Sequence, residues 1–250
     1  VGGKGTEMRA RLIRRWIGRF RLLPLHPQWL LELSGTGRAL DSAFAGLRGR
    51  VLDIGCADRR FATRLPAGCE YIGLDYPDTA VGMYRTRPDV FADARRLPFP
   101  GASLQGVILK DVLEHVPGPD AVLSEIARVL TAEGTLVLWM PFIYPIHDAP
   151  YDFQRYTEHG LRRYLAEHGL RVTQFANVLA PVETAALMFC LACADAAEQI
   201  LTRRLWLLPL IPVLAALVLV MNLLGLGLRW LPASGFMPSS YRLLAVRDPR

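Results

Sequence analysis

Residues 49–75 constrain the fold of this chain more than any other stretch. Val51, Leu52 and Ile54 form a short apolar run that predicts a buried strand. The run opens into Asp53-Ile54-Gly55-Cys56-Ala57-Asp58, a loop of small residues, and Arg60–Leu65 is then expected to start a helix. Small residues let a backbone approach a ligand closely, and a helix N-terminus adds free N–H groups. A second apolar run, Tyr71–Leu74, ends in Asp75 about twenty positions after Gly55. An acid at the tip of the second strand is where a parallel sheet grips ribose hydroxyls. Strand, small-residue loop, helix, strand and acid together predict a nucleoside-binding βαβ unit.

The dinucleotide fingerprint Gly-x-Gly-x-x-Gly is absent. The run Asp53-Ile54-Gly55-Cys56-Ala57-Asp58-Arg59 instead resembles the first motif of class I S-adenosylmethionine-dependent methyltransferases, Asp/Glu-x-Gly-x-Gly-x-Gly, and more particularly the type 11-like group. Ala57 and Arg59 depart from it, standing where the family has glycine. The resemblance implies a Rossmann-like α/β fold, a seven-stranded, mostly parallel sheet with helices on both faces, and S-adenosyl-L-methionine as cofactor. It places Asp53, Gly55, Cys56, Ala57, Asp75 and Tyr76 around that cofactor. In Val90–Phe99 it implies that Asp93 accepts from the adenine amino group beside the Ala94 N–H. After the strand Gly106–Leu109 it puts Lys110 and Asp111 at the methionine end. The following Leu113-Glu114-His115-Val116 is similar to a run in methyltransferases of quinones and small molecules, where the histidine either fixes the loop or contacts the acceptor.

The strand Thr135–Met140 leads into Pro141–Thr157, a segment dense in aromatic, polar and proline residues that leaves the ligand side of the sheet. The resemblance implies that Tyr144, Tyr151, Asp152, Arg155 and Tyr156, with His115, hold the acceptor. An imidazole of near-neutral pKa suits a general base for a hydroxyl acceptor, which makes His147 the first catalytic candidate and Asp148 its expected helper. Asp152 and Arg155, three apart, are alternatively a pair that braces the loop. Thr157 is expected to cap the helix Glu158–Gly169. Leu170–Phe175 and Tyr241–Val246 read as the last two strands.

Composition bears on the surroundings. The net charge of +6 is carried almost wholly by arginine and suits an anionic surface, lipid or nucleic acid. Residues 1–7 are Gly-rich, and a natural start is expected at Met8. From there Leu12, Ile13, Trp16, Ile17 and Phe20 recur at helical spacing opposite Arg11, Arg14 and Arg15, predicting a basic amphipathic helix that either lies on a membrane or caps the sheet. No signal-peptide core follows. Trp29–Leu47 is expected to be a second helical stretch. The four cysteines make no disulfide framework, Cys190-x-x-Cys193 lacks a second ligand pair, and no metal is expected.

Leu205–Leu228 contains no charged residue and reaches spanning length, with Arg203, Arg204 and Trp206 before it and Arg229 and Trp230 after it. A single pass would strand the last β-strand across the bilayer. A segment that dips in and returns, bent at Pro209 and Pro212 or at Gly225 and Gly227, is favoured over burial in a homodimer or a true span. The expected division is 1–47, a basic helical segment; 48–177 with 238–250, the Rossmann-like domain; and 178–237, an apolar helical insertion between the last two strands. The expected protein is a methyltransferase of a small-molecule, sugar or lipid-linked acceptor, cytoplasmic and peripheral on the inner face of the membrane. An inactive membrane scaffold on the same fold and an RNA methyltransferase are the alternatives. No nucleic-acid partner is favoured, because no RNA-binding appendage is recognisable.

Overall fold

The computed structural model describes Arg9, Leu12, residues 18–84 and residues 86–248. Most of the expected amphipathic helix from Met8 therefore lies outside the described residues; its end is a short 3-10 turn, Gly18–Phe20. In place of one helix over 29–47 there are two, α1 (Trp29–Leu33) and α2 (Thr36–Phe44). The break falls at Gly35, whose φ of 74° is the left-handed stop a glycine takes readily.

The remaining elements are β1 (Arg50–Ile54), β2 (Glu70–Asp75), β3 (Val90–Phe91), β4 (Leu104–Lys110), α3 (Pro119–Val129), β5 (Leu130–Pro141), α4 (Glu158–Glu167), β6 (Leu170–Val178), α5 (Pro181–Arg203), α6 (Ile211–Leu228) and β7 (Ser240–Arg247). They build a seven-stranded sheet in the order β3-β2-β1-β4-β5-β7-β6. The β1–β2, β2–β3, β1–β4 and β4–β5 pairs are parallel, and β7 runs antiparallel to β5. This is the expected doubly wound α/β architecture. The central strands are covered on both faces, so they read as continuous apolar runs rather than alternating ones. Leu52, Ile54, Val107, Leu109, Leu136 and Leu138 meet Val122 and Ile126 of α3 and Leu161 and Leu165 of α4 in one core. Thr157 caps α4 as expected, its side-chain oxygen accepting from Gly160 N at 3.1 Å.

One local expectation fails beside the site. Arg60–Leu65 forms a series of turns with bonds such as Ala62 N to Arg59 O, not a helix. Arg59 enters that stretch with φ 59°, outside the helical region, and Pro66 closes it.

The chain divides into two compact units. One comprises 38–142, 146–177 and 240–250 and holds the sheet; the other comprises 1–37, 143–145 and 178–239. In the second unit α5 and α6 pack side by side. Cys190 and Cys193 of α5 are buried, unpaired thiols against Val218 of α6. Gly225 lets α6 approach closely: a Cβ there would sit 2.8 Å from Leu30 and 3.0 Å from Ala186. Asn222, the amide in this apolar helix, is fully buried and satisfied. Its Nδ2 donates to Pro24 O (2.7 Å) and His26 O (3.0 Å), and its Oδ1 accepts from Cys190 Sγ.

The insertion differs from expectation in two respects. The apolar run Thr184–Ala194 predicts a first helix of only about half a span, whereas α5 has 23 residues. The chain reverses at Arg204 and a 3-10 stretch, Leu205–Leu210, which contains Pro209, one of the expected bends, and not at Pro212 or the glycines. Pro212 sits in the first turn of α6, where a missing N–H costs nothing, and the helix continues through Gly225 and Gly227. The ends of the insertion are stitched together by Ser239 N donating to Val178 O at 3.0 Å, so the segment leaves and returns at one place.

Candidate active site

The small-residue loop follows β1 at the carboxyl edge of the sheet, where ligands of such folds lie. Gly55 N and Cys56 N both donate to Leu74 O, at 2.8 and 3.1 Å, which locks the loop against the end of β2. Gly55 has φ 71°, and a Cβ would fall 2.5 Å from Val112 Cγ2, so glycine is required twice over. Asp75 completes the closure. Its Oδ2 accepts from Ala57 N (3.0 Å), and its Oδ1 accepts from Tyr76 N (2.8 Å) and the Thr79 hydroxyl (3.0 Å).

Ala57 and Arg59 adopt φ values of 42° and 59°. They hold the left-handed backbone that glycine would supply, at a cost of about 1 kcal/mol each. The Arg59 side chain turns towards β2. Its Nη1 lies 2.8 Å from Asp89 Oδ1 and its guanidinium stands over the Tyr71 ring. Asp89 in turn accepts Gly73 N at 2.8 Å. A side chain in a glycine position could be expected to crowd the loop, but this guanidinium has a place of its own.

Asp53 is a support, not a contact residue. It is 1% exposed and its Oδ2 accepts from the Tyr71 hydroxyl at 2.7 Å. Burial raises its carboxyl to about 7, against the opposing effect of that hydrogen bond. Burial and the nearby carboxylates likewise push the Cys56 thiol up to about 12, which makes it an inert wall.

Asp93 follows β3, whose Phe91 pairs with Asp75, so the two carboxylates leave neighbouring strands close in register. Arg95 grips Asp93 through Nε and Nη2 and holds its carboxyl below the usual range. The pair is half-exposed and worth little. The Ala94 N–H beside it donates to none of the described residues. Tyr76 is exposed. Lys110 turns to its neighbour Asp111 and to the Trp139 ring.

A second cluster lies beyond β4 and β5. Gln154 Nε2 donates to Leu113 O (2.5 Å) and Val116 O (3.2 Å), and Phe153 N donates to Glu114 O (2.9 Å), which pins 146–157 over the turn at 113–116. His115 Nδ1 is 2.8 Å from Tyr151 O. The partner of His147 is Asp152, not the expected Asp148: Asp152 Oδ2 accepts His147 N at 3.0 Å and lies 3.2 Å from Nδ1. Asp152 also takes both terminal nitrogens of Arg155, at 2.5 and 2.8 Å, and that guanidinium holds its carboxyl down at about 2. Glu114 sits between the two imidazoles, fully buried, with no hydrogen-bond partner for either carboxylate oxygen.

Several expected acceptor contacts have other duties. Tyr156 stacks on Tyr164 against the core. Tyr144 belongs to the other unit, where its hydroxyl bonds Gln28. Tyr151 offers its carbonyl, leaving an exposed ring. Asp152→Ala would leave Arg155 without its carboxylate, keeping only Gln154 O, and His147 unoriented. Because Arg155 keeps some solvent contact, the expected cost is about 2 kcal/mol at pH 7, read from denaturant melts. A depressed carboxylate stabilises above its unfolded pKa, so the advantage of the parent should disappear between pH ~4 and ~2.

Comparison with known proteins fits this geometry. A family model described as a methyltransferase domain matches residues 52–138, from β1 through the loop, β2 and β4 into β5. A probable S-adenosylmethionine-dependent methyltransferase of Mycobacterium tuberculosis, from two strains, is 34% identical over 96 residues, 36% of this chain and 35% of the relative. The chain thus matches about a third of the length of these curated relatives. Among solved structures, the [4+2]-cyclase SpnF superposes with a TM-score of 0.56 at 18% identity, covering 88% of this chain and 81% of that one. A methyltransferase-like protein of Bacillus halodurans C-125 gives 0.54 at 15% identity, covering 86% and 100%. These two carry the fold alone. That the first is a cyclase illustrates that chemistry is set by the site, not the fold. The cofactor of the methyltransferase family is S-adenosylmethionine, and the loop, Asp75, Asp93 and Ala94 fit it. Asp75 has three of its roughly four acceptor positions filled, leaving one for a ribose hydroxyl.

Proposed function

We propose that this protein transfers a methyl group from S-adenosylmethionine to a lipidic or lipid-linked acceptor at a membrane surface. The observation that carries the transferase reading is the Asp75 carboxylate fastening the loop after β1, within the segment that matches the family model. An arginine in a glycine position of the loop is what would favour an inactive scaffold, and the Arg59 side chain is drawn off to Asp89. When bound, the cofactor supplies an electrophilic methyl group, and the protein has to position an acceptor and exclude water. The 146–157 loop, held over 113–116 by Gln154 and His115, is suited to both tasks. If the acceptor is a hydroxyl, the group of Glu114, His115 and His147 is placed to take its proton, Asp152 orienting His147.

The surface reading rests on α6. Val213, Leu217, Val220 and Leu224 recur at helical spacing, and all are exposed. Trp206, 77% exposed, and Trp230, 85% exposed, flank this face beside Arg204 and Arg229. Such a stripe between aromatic and cationic anchors suits the headgroup boundary of an anionic bilayer. α5 is apolar enough to pass as a second span, yet it carries Glu183, Asp195, Glu198 and Arg203. These charges favour in-plane attachment through α6 over a transmembrane hairpin. Two measurements on the full chain test the proposal. Calorimetry should find one S-adenosylmethionine site per chain, and the chain should float with anionic vesicles. Glu at 213, 217 and 220 together should abolish flotation and leave the calorimetric site intact. Absence of cofactor heat would end the transferase reading, and flotation unaffected by the three substitutions would end the surface reading.

A further inference from the structure

The Glu114 carboxylate presents a problem that hydrogen bonding does not solve. It is 0% exposed, and neither oxygen has a hydrogen-bond partner. A bare buried carboxylate costs several kcal/mol unless a cation compensates it. Arg155, the arginine of the 146–157 loop, commits both terminal nitrogens to Asp152, and its Nε has no hydrogen-bond partner. What faces Glu114 Oε1 is His115 Nε2 at 3.7 Å and His147 Nε2 at 3.8 Å. Both distances exceed the 2.7–3.2 Å of an N–H···O bond.

The far side of each ring bears on which nitrogen can serve as a ligand. A carbonyl only accepts, so His115 Nδ1, 2.8 Å from Tyr151 O, is an N–H. His147 Nδ1 lies 3.2 Å from Asp152 Oδ2 and 3.5 Å from Arg155 Nη2, and the shorter contact, to the carboxylate, suits an N–H there. With hydrogen at Nδ1, each ring has Nε2, the atom facing the carboxylate, to offer a cation in place of a proton.

We infer that Glu114, His115 and His147 are ligands of a divalent transition-metal ion, through Oε1 and the two Nε2 atoms. Bonds of about 2.1 Å at tetrahedral angles separate neighbouring ligand atoms by about 3.4 Å, and the three ligand atoms here all lie within 4.8 Å of one another. Closing the site takes shifts of up to about 0.7 Å at each side chain. Two imidazoles and one carboxylate suit zinc and its open-shell neighbours rather than magnesium or calcium. Three protein ligands leave at least one position open, as in catalytic rather than structural sites. The outer contacts are those that metal-binding histidines have, a carboxylate behind one ring and a backbone carbonyl behind the other. Glu114 and His115 follow β4 and His147 follows β5, so the site lies at the carboxyl edge of the sheet. Metal binding stands whether or not the domain transfers methyl groups. Its use, polarising an acceptor oxygen in the open position, rests on the function proposed above.

The test is titration of the chelator-treated full chain with Co²⁺, followed by visible absorption, and then with Zn²⁺ in competition. One equivalent of Co²⁺ should bind, develop a d–d band and be displaced by Zn²⁺. Glu114→Gln and His147→Ala should each weaken binding at least 100-fold, while His159→Ala, which removes an exposed imidazole, should leave it unchanged. Glu114→Gln keeps the shape and removes the buried charge, so it reports even if His147→Ala does not fold; Zn²⁺ should raise the melting temperature of the parent and not of this variant. The inference is overturned if the parent takes up no stoichiometric Co²⁺, or if Glu114→Gln binds it as the parent does. In either case the carboxylate is compensated by protons on the imidazoles. Cofactor calorimetry on the same samples keeps the two readings apart, because a chain that binds S-adenosylmethionine and no Co²⁺ loses only the metal.

Discussion

Asp75→Ala should abolish measurable S-adenosylmethionine binding by the full chain, a loss of at least about 100-fold, or about 2.7 kcal/mol. In the folded domain this carboxylate is 4% exposed and accepts from Ala57 N, Tyr76 N and the Thr79 hydroxyl. Alanine leaves the Ala57 and Tyr76 N–H groups without an acceptor in a place water barely reaches, at about 1–3 kcal/mol for each that stays unpaired, while the Thr79 hydroxyl keeps Tyr76 O. The loop would relieve this by moving, and with it would go the backbone that has to lie along the cofactor. Asp75→Asn separates the two duties of the side chain. Its remaining carbonyl oxygen can still hold part of the loop, so the melting temperature should fall less than in Asp75→Ala. The lost charge and acceptor should still weaken cofactor binding severely. An alanine variant that binds within about threefold of the parent would show that the carboxylate serves the loop alone.

The signals that exposed this site in the sequence were local ones. A parallel strand buried on both faces has to be a short apolar run, and a loop that turns sharply beneath a ligand has to be made of small residues. Val51–Ala57 satisfies both within seven positions. Asp75 and Asp93 were legible for the same reason, since one ends a strand and the other follows one closely. Contacts between distant segments left no such trace. Nothing in spacing tells that Tyr71 will cover Asp53, or that Asp89 will accept Gly73 N and draw Arg59 aside. Asp148 looked like the helper of His147 because it is adjacent, yet its φ of 49° belongs to a turn that brings Asp152 round instead. Glu114 is the instructive omission. An acid between Leu113 and Val116 carried the one available hint, an ionisable residue in an apolar turn, and its significance depends on a histidine from a loop after another strand. The insertion was misjudged for a different reason. α5 carries acidic residues in its second half, which hid the length of a helix whose first half alone looked apolar.

Asp53→Asn should stabilise the domain above pH 7 by about 3–4 kcal/mol and leave it nearly unchanged near pH 4. Burial raises the Asp53 carboxyl from an ordinary value near 4 to about 7. A raised carboxyl means that the folded state keeps a proton which the unfolded state gives up between those two values. Stability from this group is therefore full below pH ~4, declines as pH rises through the window, and is lost by about pH 7. Each unit of the window is worth about 1.4 kcal/mol, which sets the size of the effect. Asparagine has nothing to ionise, and its carbonyl oxygen can still accept the Tyr71 hydroxyl that now sits 2.7 Å from Asp53 Oδ2. Asp152 titrates with the opposite sign, below pH ~4, in parent and variant alike, so the difference between two urea melts isolates position 53. An equal difference at pH 4.5 and pH 8.5 would mean that volume or hydrogen bonding, not charge, distinguishes the two side chains. A variant less stable than the parent at pH 8.5 would mean that the carboxylate is ionised and held by the free N–H groups of the loop above it. Asp53 would then be an anchor of the cofactor loop rather than a neutral strut beneath it.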